Sequence, residues 1–478
     1  MRHEKHVSIR QINIAAAIGV AIFLMNYSIQ LFPVVSPEDW VSLLDGILIA
    51  GSIAAVFLSA INFELSLNIF IFIAPLAVYS IPNLNFFFTY GDAYLIVLVF
   101  IWISRLALSK ESSFRKTYLD RLIFFFVVLT LLSAISSRDS GEAIKEIVQT
   151  IEYLVFCYYL FSVAVNNRNL LDCIIHSIVL CGGLIALYGI LQYMRGGGGE
   201  FRIYGTFGHF NAMGTFMAMM TTFMFNLSLS ADRGWKRLLY YTVFVLDFLA
   251  LLMTFSRGAW IGTIVGVVIS AQIRGMVQFI RIFSMVFVLF IIVTVLTPQQ
   301  YFGRYLVRLY SVPRVADVSS KNRVAQWKIA YETISDYPLL GVGLNNNSYH
   351  VTEKYNLPTY GEIHNLFLHI GSERGIPAMF IFMGIYISYF VHIYRRIGRT
   401  EDPYFHSLYV SFFSVILAFF VVNIFAYQLI RGIALFFVMF LALSNAAMNI
   451  EENEPVESKW AEMLSTLESK RPLAKMGL

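Results

Sequence analysis

Apolar residues in this chain fall in long runs and do not alternate with polar ones, so the pattern predicts helices and no sheet. Stretches such as Phe210 to Leu229 and Ile433 to Ile450 carry no charged side chain at all. A bilayer core of about 30 Å is crossed by about 20 apolar residues of helix. About fourteen segments are close to that length. They are Gln11 to Phe32, Val41 to Ile61, Leu65 to Ile81, Ala93 to Leu108, Leu122 to Ser136, Ile147 to Val165, Leu170 to Met194, Phe210 to Leu229, Leu238 to Phe255, Ala259 to Ile273, Phe283 to Leu296, Ile376 to Tyr394, Leu408 to Phe425 and Ile433 to Ile450. The expected fold class is all-α: a polytopic integral membrane protein of about 12–14 transmembrane helices, with one large external loop between the eleventh and twelfth spans. The first segment shows no small-residue cleavage site and reads as a retained anchor.

The basic residues orient these spans. Arg2, Lys5 and Arg10 precede the first; Lys110, Arg115, Lys116 and Arg121 follow the fourth; Arg233, Lys236 and Arg237 follow the eighth; Arg395, Arg396 and Arg399 follow the twelfth. Alternating spans put all of them on one side, which the positive-inside rule makes cytoplasmic. The stretch from Thr297 to Ile363 then lies outside, although it holds Arg304, Arg308, Arg314, Lys321, Arg323, Lys328 and Lys354. Long loops escape the rule, so tolerated charge and an anion-binding surface both remain open. The chain divides into N-terminal helices (1–203), central helices (204–296), the loop (297–363), C-terminal helices (364–450) and a cytoplasmic tail (451–478).

Composition narrows the class. Of 478 residues 58% are hydrophobic and 14% charged, against about 25% charged in soluble domains, and mean hydropathy is +0.67. A soluble enzyme is excluded, and a net charge of +5 set by sidedness gives no case for nucleic acid. Cys157, Cys173 and Cys181 lack metal-ligand spacing, so neither a disulfide framework nor a metal site is expected. No cytoplasmic loop holds a phosphate loop or dinucleotide fingerprint, and no cofactor is expected. The run Gly196 to Gly199 lacks the Lys and Ser/Thr of a phosphate loop and reads as a hinge.

Three external stretches could carry chemistry. In Thr254 to Trp260, Arg257 stands at the mouth of a helix pair, and Ser256 is expected to cap the following helix, whose N-terminus favours phosphate; an arginine snorkelling to lipid head groups is the plain alternative. In Lys321 to Ala330, Arg323 and Trp327 are four residues apart on one helix face, a planar cation beside a ring, suited to a diphosphate or a sugar or simply a stacked pair. His364 and Asn365 open a segment from which Arg395 is too far for one perpendicular helix. Gly371, Gly375 and Pro377 offer the break, leaving His364 to Arg374 near the outer surface, with an imidazole able to exchange protons. Glu373 and Arg374 follow, either at the site or paired with one another.

Ser256-Arg257-Gly258, Arg323 with Trp327, Pro338-Leu339-Leu340-Gly341-Val342-Gly343, and His364-Asn365 followed by Glu373 and Gly375 together resemble the O-antigen ligase and Wzy-type polysaccharide polymerase superfamily. Its members also include teichuronic acid polymerases and some protein O-oligosaccharyltransferases. The resemblance covers mainly Tyr204 to Arg374, including Gly205-Thr206-Phe207-Gly208 and Asn211. It implies an enzyme of the bacterial cytoplasmic (inner) membrane, its active site facing outside. Such an enzyme is an inverting, metal-independent glycosyltransferase that moves a glycan from undecaprenyl diphosphate to an acceptor hydroxyl. It implies Arg257 and Arg323 as diphosphate ligands and His364 as the catalytic histidine; Trp327, Asn365, Glu373 and Arg374 join them as candidate substrate-binding residues. Arg374 departs from the pattern, which has an apolar residue there. Expected partners are the lipid-linked donor, a glycan, lipid or protein acceptor, and membrane lipid. A polymerase is slightly favoured over a ligase by the span count. Physical chemistry agrees with the reaction: fixed guanidinium groups stabilise a diphosphate leaving group, and a neutral imidazole can take the acceptor proton.

A secondary transporter is the rival class. Glu142, Lys145 or Glu146, Gln149 and Glu152 form a polar stripe at helical spacing, open to lining a substrate groove or to facing another helix; the two halves show no repeat of the kind transporters carry.

Overall fold

The computed structural model describes residues 61–76, 89–108, 116–196, 201–230, 234–275, 280, 284, 318–347, 349–351 and 363–453. The expected spans at 11–32 and 283–296, most of that at 41–61, most of the four-glycine run and the tail beyond 453 lie outside the described residues. Among those described the long elements are all helices: α1 (Phe63–Ile73), α2 (Tyr90–Leu108), α3 (Asp120–Ser133), α4 (Ser140–Ala164), α5 (Arg168–Arg195), α6 (Phe210–Ser230), α7 (Trp235–Met253), α8 (Arg257–Arg274), α9 (Val318–Asp336), α10 (Leu366–Ile397), α11 (Pro403–Ile424) and α12 (Arg431–Asn453). Seven of them are long and apolar enough to cross a membrane. The expected all-α polytopic membrane fold is the one observed.

Short polar residues start the helices where the sequence places them. Asp139 accepts from the amides of Gly141 and Glu142 at the head of α4, and Asn167 from Leu170 at the head of α5. Asp402, with Pro403 in the first turn, does the same for α11. Each carboxylate or amide satisfies amides that the helix itself leaves without a partner.

Helices α6 and α12, 94% buried over their apolar windows, form the centre, and α5, α7, α8 and α11 pack against α6. The closest approach is between α8 and α11. A methyl group at Gly262 would stand 2.7 Å from the Ala418 carbonyl oxygen, and one at Gly266 2.9 Å from that of Ser414. Gly258, Gly262 and Gly266 thus give α8 a smooth face, the small-residue stripe by which membrane helices approach closely.

Alternation of the chain gives the bundle two ends. One carries the start of α3 and α5, the end of α8 and the α10–α11 turn, and is tied by ion pairs such as Arg168 with Asp402 (3.1 Å) and Arg396 with Glu451 (3.9 Å). The other carries the α3–α4 and α7–α8 turns, α9, the head of α10 and the end of α11. All three candidate motifs gather there.

Candidate functional site at the end of α11

The α7–α8 turn is a tight structure. Phe255 has φ +52°, a left-handed conformation costly for a bulky residue. Arg202 holds it: Nε donates to the Thr254 carbonyl (2.9 Å) and Nη2 to the Phe255 carbonyl (3.1 Å), while its guanidinium lies 3.3 Å from the Phe210 ring centroid. Trp260 Nε1 donates to the Leu251 carbonyl, closing the turn from the other side. The Ser256 hydroxyl does not cap α8 as expected; it donates to Asn211 Oδ1 at 3.1 Å. Close packing explains this, since a methyl at Gly214 of α6 would come within 2.8 Å of Ser256 Cβ, and the hydroxyl bonds across that contact. The first turn of α8, opening with half-buried Arg257, therefore has no side-chain cap.

This turn, the His364-Asn365 segment and α9 converge on one place. A methyl at Gly258, next to Arg257, would stand 3.5 Å from Phe425 Cβ at the end of α11. Asn365 Nδ2 donates to the Ile424 carbonyl at 3.0 Å, while Asn365 Oδ1 caps α10 through the amides of Phe367 and Leu368. Trp327 Nε1 donates to the His364 carbonyl at 3.3 Å. Helix α9 runs beside the first half of α10 in the same direction, with Trp327 beside His364 and Ile334 against Gly371. Arg323, half-buried and one turn before Trp327, thus lies past the head of α10. Sequence distances of more than 100 residues become neighbouring positions around Ile424 and Phe425.

Glu373 and Arg374 sit elsewhere, about 14 Å farther along α10. The helix is broken at Gly375 (φ +83°), so the expected break is present. The segment before it is covered by protein: Leu366 and His369 to Gly375 are buried. The loop after α9 covers it. Val342 and Gly343 donate backbone amides to the Ser372 and Glu373 carbonyls, Ile376 donates to that of Pro338, and Ser133 Oγ to that of Glu373 at 2.6 Å. Glycine is required on both sides, because a methyl at Gly375 would be 2.2 Å from the Leu339 oxygen and one at Gly341 2.3 Å from the Glu373 carbonyl carbon. The Pro338 to Gly343 motif is thus a clasp on the break.

Beneath the clasp runs a buried chain of charge. Glu373 meets His369 (3.3 Å) and Arg374 (3.6 Å), and Arg374 meets Glu146 of α4 at 2.7 Å. Glu373 and Arg374 do pair, and Glu146 explains why a charged residue is tolerated at 374: its carboxylate neutralises a guanidinium that burial would otherwise penalise. Of the polar stripe on α4, Glu146 and Gln149 line a cavity with Arg374, whereas Glu142 binds Lys145 and Asn345. Glu152, at the start of the π-turn Glu152–Cys157, is buried and does not line that cavity. Sequence reasoning missed Arg202; its only signal was a lone arginine just before the Tyr204 to Gly208 motif.

An all-α polytopic membrane protein whose polar motifs meet at one end of a tightly packed bundle is the class that fold and site define. Residues 242–383, less than a third of the chain, match the family model Wzy_C, described as O-Antigen ligase. The matched stretch runs from α7 into α10, the helices that bring the three motifs together. No curated protein matches it.

Proposed function

We propose that the protein is a membrane-embedded inverting glycosyltransferase of the O-antigen ligase and polymerase type. It moves a glycan from undecaprenyl diphosphate to an acceptor hydroxyl on the outer side of the bacterial cytoplasmic membrane. The observation that carries this reading is the convergence of Arg257, Asn365 with His364, and Trp327 around the end of α11. Two helices, α8 and α10, begin there, and their positive ends favour an anion. The first-turn amides of α8, uncapped by Ser256, and the Arg257 guanidinium bind the diphosphate, with Arg323 approaching from α9. As the glycosyl–oxygen bond breaks, charge grows on the departing diphosphate, and these fixed donors stabilise it. His364 takes the proton from the attacking hydroxyl as the new bond forms. The activated donor supplies the driving force, so the chain needs no nucleotide.

The acceptor is a growing glycan in preference to lipid A core or a protein side chain. The test is to incubate purified protein with a lipid-linked repeat unit and each acceptor in turn. A ladder of products identifies a polymerase and a single addition a ligase. No consumption of donor with any acceptor, by protein shown to be folded, would refute the reading, and proton-coupled solute uptake in vesicles would establish a transporter in its place.

A further inference from the structure

We infer that Arg202 is a positioning residue for Arg257. It fixes the strained turn before α8 and so sets the guanidinium and the first-turn amides that receive the diphosphate; this rests on the transferase reading above. No step of that reaction uses the Tyr204 to Gly208 motif, and its part is the frame that presents Arg202. The chain entering the motif is pinned on two sides. Ile203 donates its amide to the carbonyl of Met253, the last residue of α7, at 3.3 Å, and Gln192 Oε1 of α5 accepts from the amides of Tyr204 and Gly205 at 3.0 Å each. Gln192 is buried, and Gly205 turns the chain at φ +54°, where a methyl would stand 2.5 Å from Met213 Sδ of α6. Arg202 therefore leaves a fixed stretch of backbone at the end of α7.

A helix ends with carbonyls that it cannot satisfy itself. At the end of α7 the Leu251 carbonyl takes Trp260 Nε1, that of Leu252 the Phe255 amide and that of Met253 the Ile203 amide. The carbonyls of Thr254 and Phe255 both fall to Arg202, with left-handed Phe255 as the link between them. A planar fork bridges two carbonyls at once, which a point charge does not. With Nε and Nη2 engaged and the Phe210 ring 3.3 Å from the guanidinium, Arg202 is built to hold the turn. A bulky residue stays at positive φ only while its surroundings over-determine it. Arg257 begins its helix two residues later, so any relaxation of Phe255 moves the head of α8. Chemistry asks for more accuracy there than folding does, because a misplacement of about 1 Å costs about 10²-fold in rate.

Arg202→Met keeps the bulk against Phe210 and removes both donors. Its kcat per folded molecule should fall about 10²-fold with the donor KM nearly unchanged, since charge on the diphosphate grows only as the bond breaks. An arginine needed for stability alone would lower the melting temperature and leave kcat per folded molecule where it was, which would overturn the proposal. Arg202→Lys should recover little, and it carries the same comparison if Arg202→Met does not fold. The turn itself is tested by Phe255→Gly, because glycine holds positive φ without strain. The lost ring against Trp260 lowers the melting temperature of every protein that carries this change, so rates are again taken per folded molecule. In that background Arg202→Met should cost only about tenfold, as relief of the strain returns part of the loss. A readout that needs no substrate is the rate at which Arg257→Cys reacts with a thiol reagent in nanodiscs, the native cysteines being buried. That rate should rise several-fold when Arg202→Met is added. An equal loss of kcat with and without Phe255→Gly would overturn the positioning role and make Arg202 a ligand of the substrate, and an unchanged labelling rate would also overturn it. Wild-type protein that transfers nothing, while labelling of Arg257→Cys still follows Arg202, would remove the transferase reading and leave the hold on Arg257 standing.

Discussion

The two ends of α8 each carry an arginine, and the two are placed in opposite senses. Arg274, in the last turn, donates from Nη1 to Ser230 Oγ (2.8 Å), from Nε to Asn226 Oδ1 (3.2 Å) and from Nη2 to the Asn226 carbonyl. A cation there complements the negative end of the helix dipole. Arg257, the first residue of the same helix, sits at the positive end, where a cation is disfavoured by about 0.3–1 kcal/mol. The helix dipole favours Arg274 and disfavours Arg257. On the proposed function, this cation, beside a strained turn, meets the anion that arrives with the substrate.

The same division separates the two halves of α10. Before Gly375 the helix is capped by Asn365 and buried under a clasp; after it the helix crosses the bundle and ends in Arg395 and Arg396, the favourable sign for a C-terminus. The largest effect is expected in the first half. His364→Ala should lower turnover by roughly 10² to 10⁴, the contribution of a general base, while binding of a lipid-diphosphate analogue persists. Loss of analogue binding with an intact fold would make His364 a diphosphate ligand instead. At the break, Gly375→Ala adds a side chain both at positive φ and against the Leu339 oxygen, and should destabilise by about 2–4 kcal/mol, read as melting temperature in detergent. An unchanged melting temperature would mean that the clasp is dispensable.

At the opposite end effects should be small and confined to stability. Arg168→Ala removes the pair with Asp402 and the stacking over Tyr404, worth about 1 kcal/mol together, with turnover unchanged. Reduced turnover without lost stability would break the distinction between the ends. Sidedness is read by labelling: the native cysteines are all buried, so Ser335→Cys and Glu401→Cys, at exposed positions on opposite ends, report alone. Ser335→Cys should react with an impermeant thiol reagent in intact cells or spheroplasts, and Glu401→Cys only after lysis. The reverse pattern would invert the orientation.

Much of the fold was legible because membrane helices announce themselves by apolar length; α5, α6, α11 and α12 start and stop within a few residues of their apolar runs. The break at Gly375 was legible from length and glycine. What could not be read was anything decided between helices. Ser256 looked like a cap because local spacing favours one, but α6 packs so closely that its hydroxyl bonds Asn211. Nothing in the sequence shows that Gly341 and Gly343 fold back over the segment before Gly375 and bury it. Arg374 looked anomalous until Glu146, 228 residues away, stood beside it.

The claim that the diphosphate reacts at the end of α11 is tested most directly by turnover of undecaprenyl-diphosphate-linked glycan in purified Arg257→Ala, Arg257→Lys and Arg274→Ala, with melting temperatures measured on the same preparations. Arg257→Ala should lose at least about 10²-fold in turnover with its melting temperature held or slightly raised. Lysine should restore little, since a point charge does not replace a planar fork. Arg274→Ala should melt lower and keep its activity per folded molecule. Near wild-type turnover in folded Arg257→Ala would contradict the account.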